Sequence, residues 1–224
     1  GCSSRVTGIC TGGLLFYKAV IKQLPDNNWA NKLSRDTMLK NLHKPLSNAQ
    51  VLLEPLAPEH HKALRLACAE DREIWDIYPN SMLGEHFDEA IADMGKARNR
   101  AVFAVIKVDL NGAQKVVGMT SYINPDQQGV VEIGGTYISP EVRGTDFNLT
   151  MKRLLIEHGF ACGYRRIEFR VDVRNKRSQK AVRKLGAKQD GILRKNKITW
   201  TGHIRDTVVF SLFQDEWQTT HGTG

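Results

Sequence analysis

Val131-Glu-Ile-Gly-Gly-Thr-Tyr-Ile138, the turn Ser139-Pro-Glu-Val-Arg-Gly-Thr145, the run that opens at Asp146, and Asn175-Lys-Arg-Ser178 with its terminus Leu185-Gly-Ala187 decide the fold. The first is apolar and β-branched and reads as a strand. The second carries Pro140 and Gly144 and reads as a turn. Beyond it Phe147, Met151, Leu154 and Leu155 stand at i, i+4, i+7 and i+8, the spacing of a helix laid on a sheet. Asn175 has the chemistry of an N-cap and Gly186 that of a helix stop, so a second helix covers Asn175 to Leu185.

Outward from that block the pattern stays legible. Val51 to Leu56 reads as a short strand, and Pro58 to Ala69 as a helix with proline in its first turn. Gly84 to Ala97 reads as a further helix and Ala101 to Val108 as an apolar strand. Asn111-Gly112 is a hairpin turn, which makes Lys115 to Ile123 antiparallel to its predecessor. Pro125 to Gly129 turns the chain into Val130 to Ile138. Arg166 to Val171 reads as a buried strand, and two strands near Gly191 and over Thr207 to Leu212 close the domain. The fold class expected is α+β, or mixed α/β: one sheet with antiparallel and parallel pairs and helices on both faces. Residues 1–48 lack periodicity and read as an N-terminal appendage, partly helical or of cloning origin; 49–217 form the domain, and 218–224 a disordered tail.

Composition bounds the function. Among 224 residues, 41% are hydrophobic and 25% charged, a globular balance with a formal charge of +8. Lys18 breaks Leu14 to Ile21, the one stretch resembling a signal core, so a cytoplasmic protein without a membrane partner is expected. Cys2, Cys10, Cys68 and Cys162 show no metal-ligand spacing, and no metal is expected. The charge is segregated: residues 70–93 carry a net −7 and residues 143–206 a net +11. A basic half suits a polyphosphorylated ligand and an acidic segment a cationic one, although solvated helix faces also account for such runs. No nucleic-acid motif accompanies the basic residues.

A glycine-containing turn between a strand and a helix directs main-chain N–H groups at one point, where the helix dipole also favours an anion. Arg143-Gly144-Thr145-Asp146-Phe147-Asn148 has that form, as does a plain helix start. The order of strand, turn, helix, strand and capped helix resembles the acetyl-CoA-dependent N-acetyltransferases of the GNAT superfamily. The Glu-Ile-Gly strand, Arg-Gly-Thr turn, Asn-x-x-Ser helix and late Arg205-Asp206-Thr207 are most similar to the ribosomal-protein N-terminal acetyltransferase (RimJ/RimL-like) branch. The resemblance implies a twisted, mostly antiparallel sheet of about 6–7 strands.

It also implies roles. Acetyl-CoA would be cradled by the main chain of Arg143, Gly144, Thr145, Asp146, Phe147 and Asn148, with Asn175 and Ser178 at the pantetheine. The acetyl carbonyl would be polarised by the strand around Tyr137 and Ile138. Glu132 would be the general base, since an amine acceptor is mostly protonated at neutral pH. The family's cofactor motif matches at Gly144 but not at Glu141 or Asp146. Asp146 could cap the helix, yet it brings a negative charge to the pyrophosphate. Val182 stands where many relatives have an acid tyrosine, which leaves Ser178 as the acid. No cysteine occupies a motif position, so direct transfer without an acetyl-enzyme is expected.

In this family the first two helices wall the acceptor site, and here they carry the acidic segment. Trp75, Asp76, Tyr78, Glu85, Phe87 and Asp88 are therefore the candidate acceptor contacts, with His86 as a possible relay. A cationic amine is expected: a protein N-terminus or, alternatively, a polyamine or aminoglycoside. A CoA-binding module without activity is the other reading, and Arg205–Asp206 is expected to form a structural pair. A monomer and a homodimer both fit.

Overall fold

The computed structural model describes residues 35–221. In chain order these form α1 (Arg35–Leu42), β1 (Leu46–Ser47), β2 (Val51–Pro55), α2 (Pro58–Ala69), a 3-10 turn (Glu73–Ile77), α3 (His86–Lys96), β3 (Arg100–Val108), β4 (Gln114–Ile123) and β5 (Val130–Ile138). A short 3-10 turn (Pro140–Val142), α4 (Phe147–Ala161), β6 (Arg166–Asp172), α5 (Lys176–Lys184), β7 (Lys188–Ile198), β8 (Ile204–Phe213) and α6 (Gln214–His221) follow. The eight strands make one sheet in the order β1-β2-β3-β4-β5-β6-β8-β7. Every pairing is antiparallel except β5 with β6, because α4 must cross over the sheet between them.

Strand alternation sorts side chains onto the two faces. Val131 and Ile133 of β5, Ile167, Phe169 and Val171 of β6, and Val208, Phe210 and Leu212 of β8 all enter one core, where α4 contributes Met151, Leu155 and Ile156. Each of those three helix side chains is fully buried, worth about 2 kcal/mol apiece. The Tyr122 hydroxyl donates to the carbonyl of Leu155 and ties the helix to the sheet. On the opposite face α2 and α3 build a second core from Leu64, Cys68, Trp75, Met82, Phe87, Ala90, Met119 and Tyr137. It takes no side chain from β6, β7 or β8, so on this face the polar residues of those strands are left to a groove.

Two boundaries differ from the sequence reading. Residues 35–47 are part of the domain, not an appendage: Leu42 is fully buried in the first core, and Leu46 pairs with Leu53. The rest of the supposed appendage lies outside the described residues. At the other end α6 continues to His221, into the stretch read as a tail, with Trp217 buried in the core. Composition hid both, since each is a short polar element: Leu42 anchors α1 with Met38 and Leu39 packed beside it, and Trp217 anchors α6. The sheet has eight strands because β1, two residues long, is below what a hydrophobic pattern reveals. Among the described residues no helix is long and apolar enough to cross a membrane, and no metal-holding cluster of His, Cys, Asp or Glu occurs.

Candidate active site

The site exists because two neighbouring strands part. The ladder between β5 and β6 runs from Val130↔Arg166 to Glu132↔Glu168 and stops, while β5 continues to Ile138 and β6 to Asp172. On its other side β5 carries a bulge, since Met119 opposes Tyr137 but Ser121 opposes Gly134. Gly135 sits there at φ +58°, a conformation side chains rarely adopt, and a Cβ on it would meet the Arg100 guanidinium at 2.5 Å, so a side chain would be strained and would displace the end of Arg100. The opening forms a groove of about 480 Å³ lined by Glu132 to Thr136 and Ile138 of β5, the turn Arg143 to Asp146, Asn148 and Lys152 of α4, and the start of α5.

The turn at the end of β5 is built for an anion. Gly144 adopts φ +77° with open space where a Cβ would lie. The first-turn N–H groups of α4 have no acceptor within their own helix. The Thr145 hydroxyl donates to the Val142 carbonyl at 2.9 Å and accepts from Phe147 N–H at 3.2 Å. Thr145 therefore does the capping expected of Asp146, whose exposed carboxylate caps nothing and faces the groove. Arg143 is turned inward: its Nε donates to the Ile138 carbonyl at 2.8 Å, its Nη1 to Asp71, and its buried Nη2 has no partner. Burial works against ionisation of Asp71, but the hydrogen bond and charge of Arg143 hold its carboxyl below the usual range.

At the far wall, Asn175 Oδ1 accepts from Ser178 N–H at 3.0 Å, the N-cap expected of it, and both residues line the groove. Ser178 keeps a hydroxyl unengaged by any described residue. Val182 is buried and lines the groove's inner wall. Arg177, Lys180 and Lys184 complete this end with positive charge.

Glu132 lies at the opposite end, its side chain 12% exposed. Burial pushes its carboxyl above the ordinary range, against the pull of Lys197, Arg170 and Arg100 and with the help of Glu168. A Cβ on Gly134 would come within 2.5 Å of Glu132 Oε1, so the glycine leaves the carboxylate its place over the strand.

Lys152 was missed by sequence reading. It stands on α4 beside the apolar stripe, 6% exposed, and donates to Thr136 Oγ1 at 2.6 Å. Burial lowers its pKa to about 7, the charge of Glu132 opposing. Thr136 is further held by Thr120 Oγ1 at 2.8 Å and, through its carbonyl, by the Tyr78 hydroxyl. The signal was a lysine one position from a core methionine, which helical periodicity alone reads as a snorkelling side chain.

The acidic segment lines the groove through Ile74, Ile77, Tyr78 and Pro79, and none of its carboxylates does so. Trp75 is fully buried, donates to the Cys68 carbonyl at 3.0 Å and stacks on Tyr137 at 4.8 Å. Phe87 is 1% exposed in the same core. Asp88 pairs with Arg65, Glu85 is exposed, and Asp76 offers only its carbonyl, to Arg174. Of the candidate acceptor contacts, Tyr78 alone lines the groove, and the Tyr137 and Phe147 side chains belong to the two cores. His86 rests against Trp200 at 5.4 Å, outside the groove lining. Arg205 and Asp206 do not pair: as strand neighbours they point to opposite faces, Arg205 to Thr207 Oγ1 and Asp206 to Lys195 N–H.

Residues 50–188 match the acetyltransferase (GNAT) domain. The chain belongs to the GNAT acetyltransferase family. A probable GNAT-family acetyltransferase from Chromobacterium violaceum is 31% identical and superposes with a TM-score of 0.71 over 79% of this chain and 89% of its own. RimJ of Mycobacterium smegmatis, in complex with CoA-disulfide, shares the fold at 16% identity, TM-score 0.63, over 80% and 93% of the two chains. Spermidine N-acetyltransferase of Vibrio cholerae, with CoA and spermine, does so at 17% identity, TM-score 0.60, over 76% and 99%. No curated protein sequence matches the chain.

The GNAT acetyltransferase is thus an acetyl-CoA-dependent enzyme, and the groove fits that donor. The open glycine turn and the cations of α5 offer phosphate ligands at one end. Asp146 is the exception in charge. Asp146→Asn removes its repulsion without altering the turn, and is expected to tighten acetyl-CoA binding several-fold in calorimetry. Looser binding in the variant would mean that the carboxylate assists the turn.

Proposed function

We propose that this GNAT enzyme acetylates a primary amine directly, with Glu132 as the general base. The observation that carries the reading is Glu132 itself: a largely buried carboxylate, raised in pKa by that burial, on the strand that leads to the anion turn, where β5 and β6 begin to part. Bound acetyl-CoA supplies an activated thioester, its acetyl group passing from sulfur to nitrogen while CoA leaves as the thiol. Glu132 takes the proton that the amine loses, directly or through one water. Ser178, whose hydroxyl has no described partner, is the proton donor proposed for the departing sulfur. The main chain of the β5 bulge, braced by Thr136, supplies fixed dipoles beside the reacting carbonyl.

A covalent acetyl-cysteine route finds no support among the described residues. Cys68 is sealed in the second core, where burial raises its thiol to about 12, and Cys162 lies against His158 and the Asn41 carbonyl. The testing experiment is thiol release from acetyl-CoA with a panel of N-terminal peptides, amino acids, polyamines and aminoglycosides, followed by product mass. An acceptor-dependent gain of one acetyl group supports transfer. Tight acetyl-CoA binding with no turnover on any amine would instead identify a binding module.

A further inference from the structure

The Glu132 end of the groove holds more positive charge than its carboxylates balance. Arg166 and Arg170 share Glu168, Arg166 also reaches Asp190 at 2.9 Å, and Arg174 is paired with Asp172 at 2.8 Å. Three further cations line the groove: Arg100, Lys197 and Arg205. Among the described residues none of the three reaches a carboxylate at ion-pair distance. Arg205 is only 5% exposed and commits its Nε to Thr207 Oγ1 at 3.1 Å, while Arg100 has an enclosed Nε without a partner. All three sense the charge of Glu132. Glu132, which also has Arg170 at 3.8 Å, and for Arg205 the Arg174-paired Asp172 are thus the carboxylates set against three cations, two of them largely withdrawn from water, an arrangement that is costly unless a ligand brings negative charge.

For Arg100 that ligand is not the donor's phosphates. Arg100, Ile123, Glu132 and Glu168 form one row across β3, β4, β5 and β6. Along β5 six residue steps, roughly 20 Å of extended chain, lead from this row to Ile138, where the phosphate turn begins, while Lys197 and Arg205, paired with each other beyond the Asp172↔Thr207 rung, belong to other rows and reach the charge of Glu132 through their side chains. The acidic segment that suggested a cationic acceptor contributes no carboxylate to the groove.

We propose that the acceptor is a primary amine bearing a carboxylate or phosphate group, which Arg100, Lys197 and Arg205 hold while Glu132 receives the amine. Guanidinium and ammonium groups suit either anion, through charge-assisted hydrogen bonds. The proposal rests on the acetyl-transfer reading above and refines its acceptor.

The test compares acceptors of opposite charge: alanyl-triglutamate against alanyl-trilysine, and free glutamate and O-phosphoethanolamine against spermidine. Thiol release at saturating acetyl-CoA is expected to give a kcat/KM at least tenfold higher for the anionic member, and the peptide and small-molecule arms separate the two sources of the anion. Lys197→Gln, on an exposed strand where folding is not at stake, and Arg205→Gln are each expected to raise KM for the anionic acceptor about tenfold, the loss falling on KM. Preference for the cationic member overturns the proposal. So does a fall in kcat for all acceptors alike with a displaced pH profile and unchanged KM, since the cations would then serve Glu132 alone. Should no amine of either charge release thiol although acetyl-CoA binds, the transferase reading fails by itself. Calorimetric titration of alanyl-triglutamate onto the CoA-loaded protein then decides the anion site: salt-sensitive binding that Lys197→Gln weakens upholds it, and no binding removes it.

Discussion

Glu132→Gln is expected to lower kcat/KM for acetyl transfer by about 10²–10⁴-fold, the range that a positioned general base supplies. The substitution keeps the shape of a side chain that is packed over Gly134 and removes only its ability to accept a proton. Acetyl-CoA affinity is expected to remain within twofold, since the phosphate turn lies at the other end of β5. The pH profile gives the more specific readout. The base works when ionised, so wild-type activity falls as pH drops through the folded pKa of Glu132, which burial holds above the ordinary carboxylate range. The acid limb should therefore lie above the usual value of about 4.3. Arg170 draws that pKa down from 3.8 Å away, so Arg170→Gln should move the limb to still higher pH. In Glu132→Gln the limb should vanish. Activity within tenfold of wild type, with the limb retained, would assign the proton to another group.

Local elements were legible because each obeys a single period or cap. Pro58 to Ala69 is a helix over the span its proline and apolar spacing indicate. Asn175 caps α5 through Ser178 N–H as its side-chain chemistry requires, and the Asn111-Gly112 turn joins an antiparallel pair. The partition of the site was not legible, because it depends on pairing between distant strands. That β5 and β6 separate after Glu132↔Glu168 follows from a crossover and a bulge, and neither leaves a periodic trace. The acidic run misled for a related reason. Linear charge density says nothing about direction, and Asp71 and Asp88 turn to Arg143 and Arg65 instead of to the groove. Arg100, Arg170, Lys197 and Arg205 come from four strands and converge only when the sheet is assembled. Alternation along β8 held a usable clue, because Arg205 shares a face with Thr207 while Val208, Phe210 and Leu212 enter the core.

Lys152→Met is expected to stabilise the protein at neutral pH and to make it a poorer enzyme. An unfolded lysine titrates near 10.5, whereas burial brings Lys152 to about 7 in the native state. Between those values the unfolded chain binds a proton that the native protein does not, so native stability rises with pH at roughly 1.4 kcal/mol per unit. The penalty is fully present below pH 7, of the order of 5 kcal/mol, and has disappeared above pH 10.5. Methionine fills a similar volume without the charge. The variant gives up the Lys152 bond to Thr136, worth about 1 kcal/mol, though Thr136 retains Thr120 as a partner. The net gain should be about 3 kcal/mol near pH 7 and should shrink as pH rises. Taking the difference between the two proteins in denaturant melts at pH 7, 8 and 9 cancels the other groups that ionise there. Parallel stability curves would mean that Lys152 is solvated and not held near neutrality. Turnover supplies the second readout: Lys152 fixes Thr136, and with it the bulge that shapes β5, so kcat should fall while acetyl-CoA affinity is kept. A variant both more stable and fully active would leave this buried charge without a part in positioning the strand.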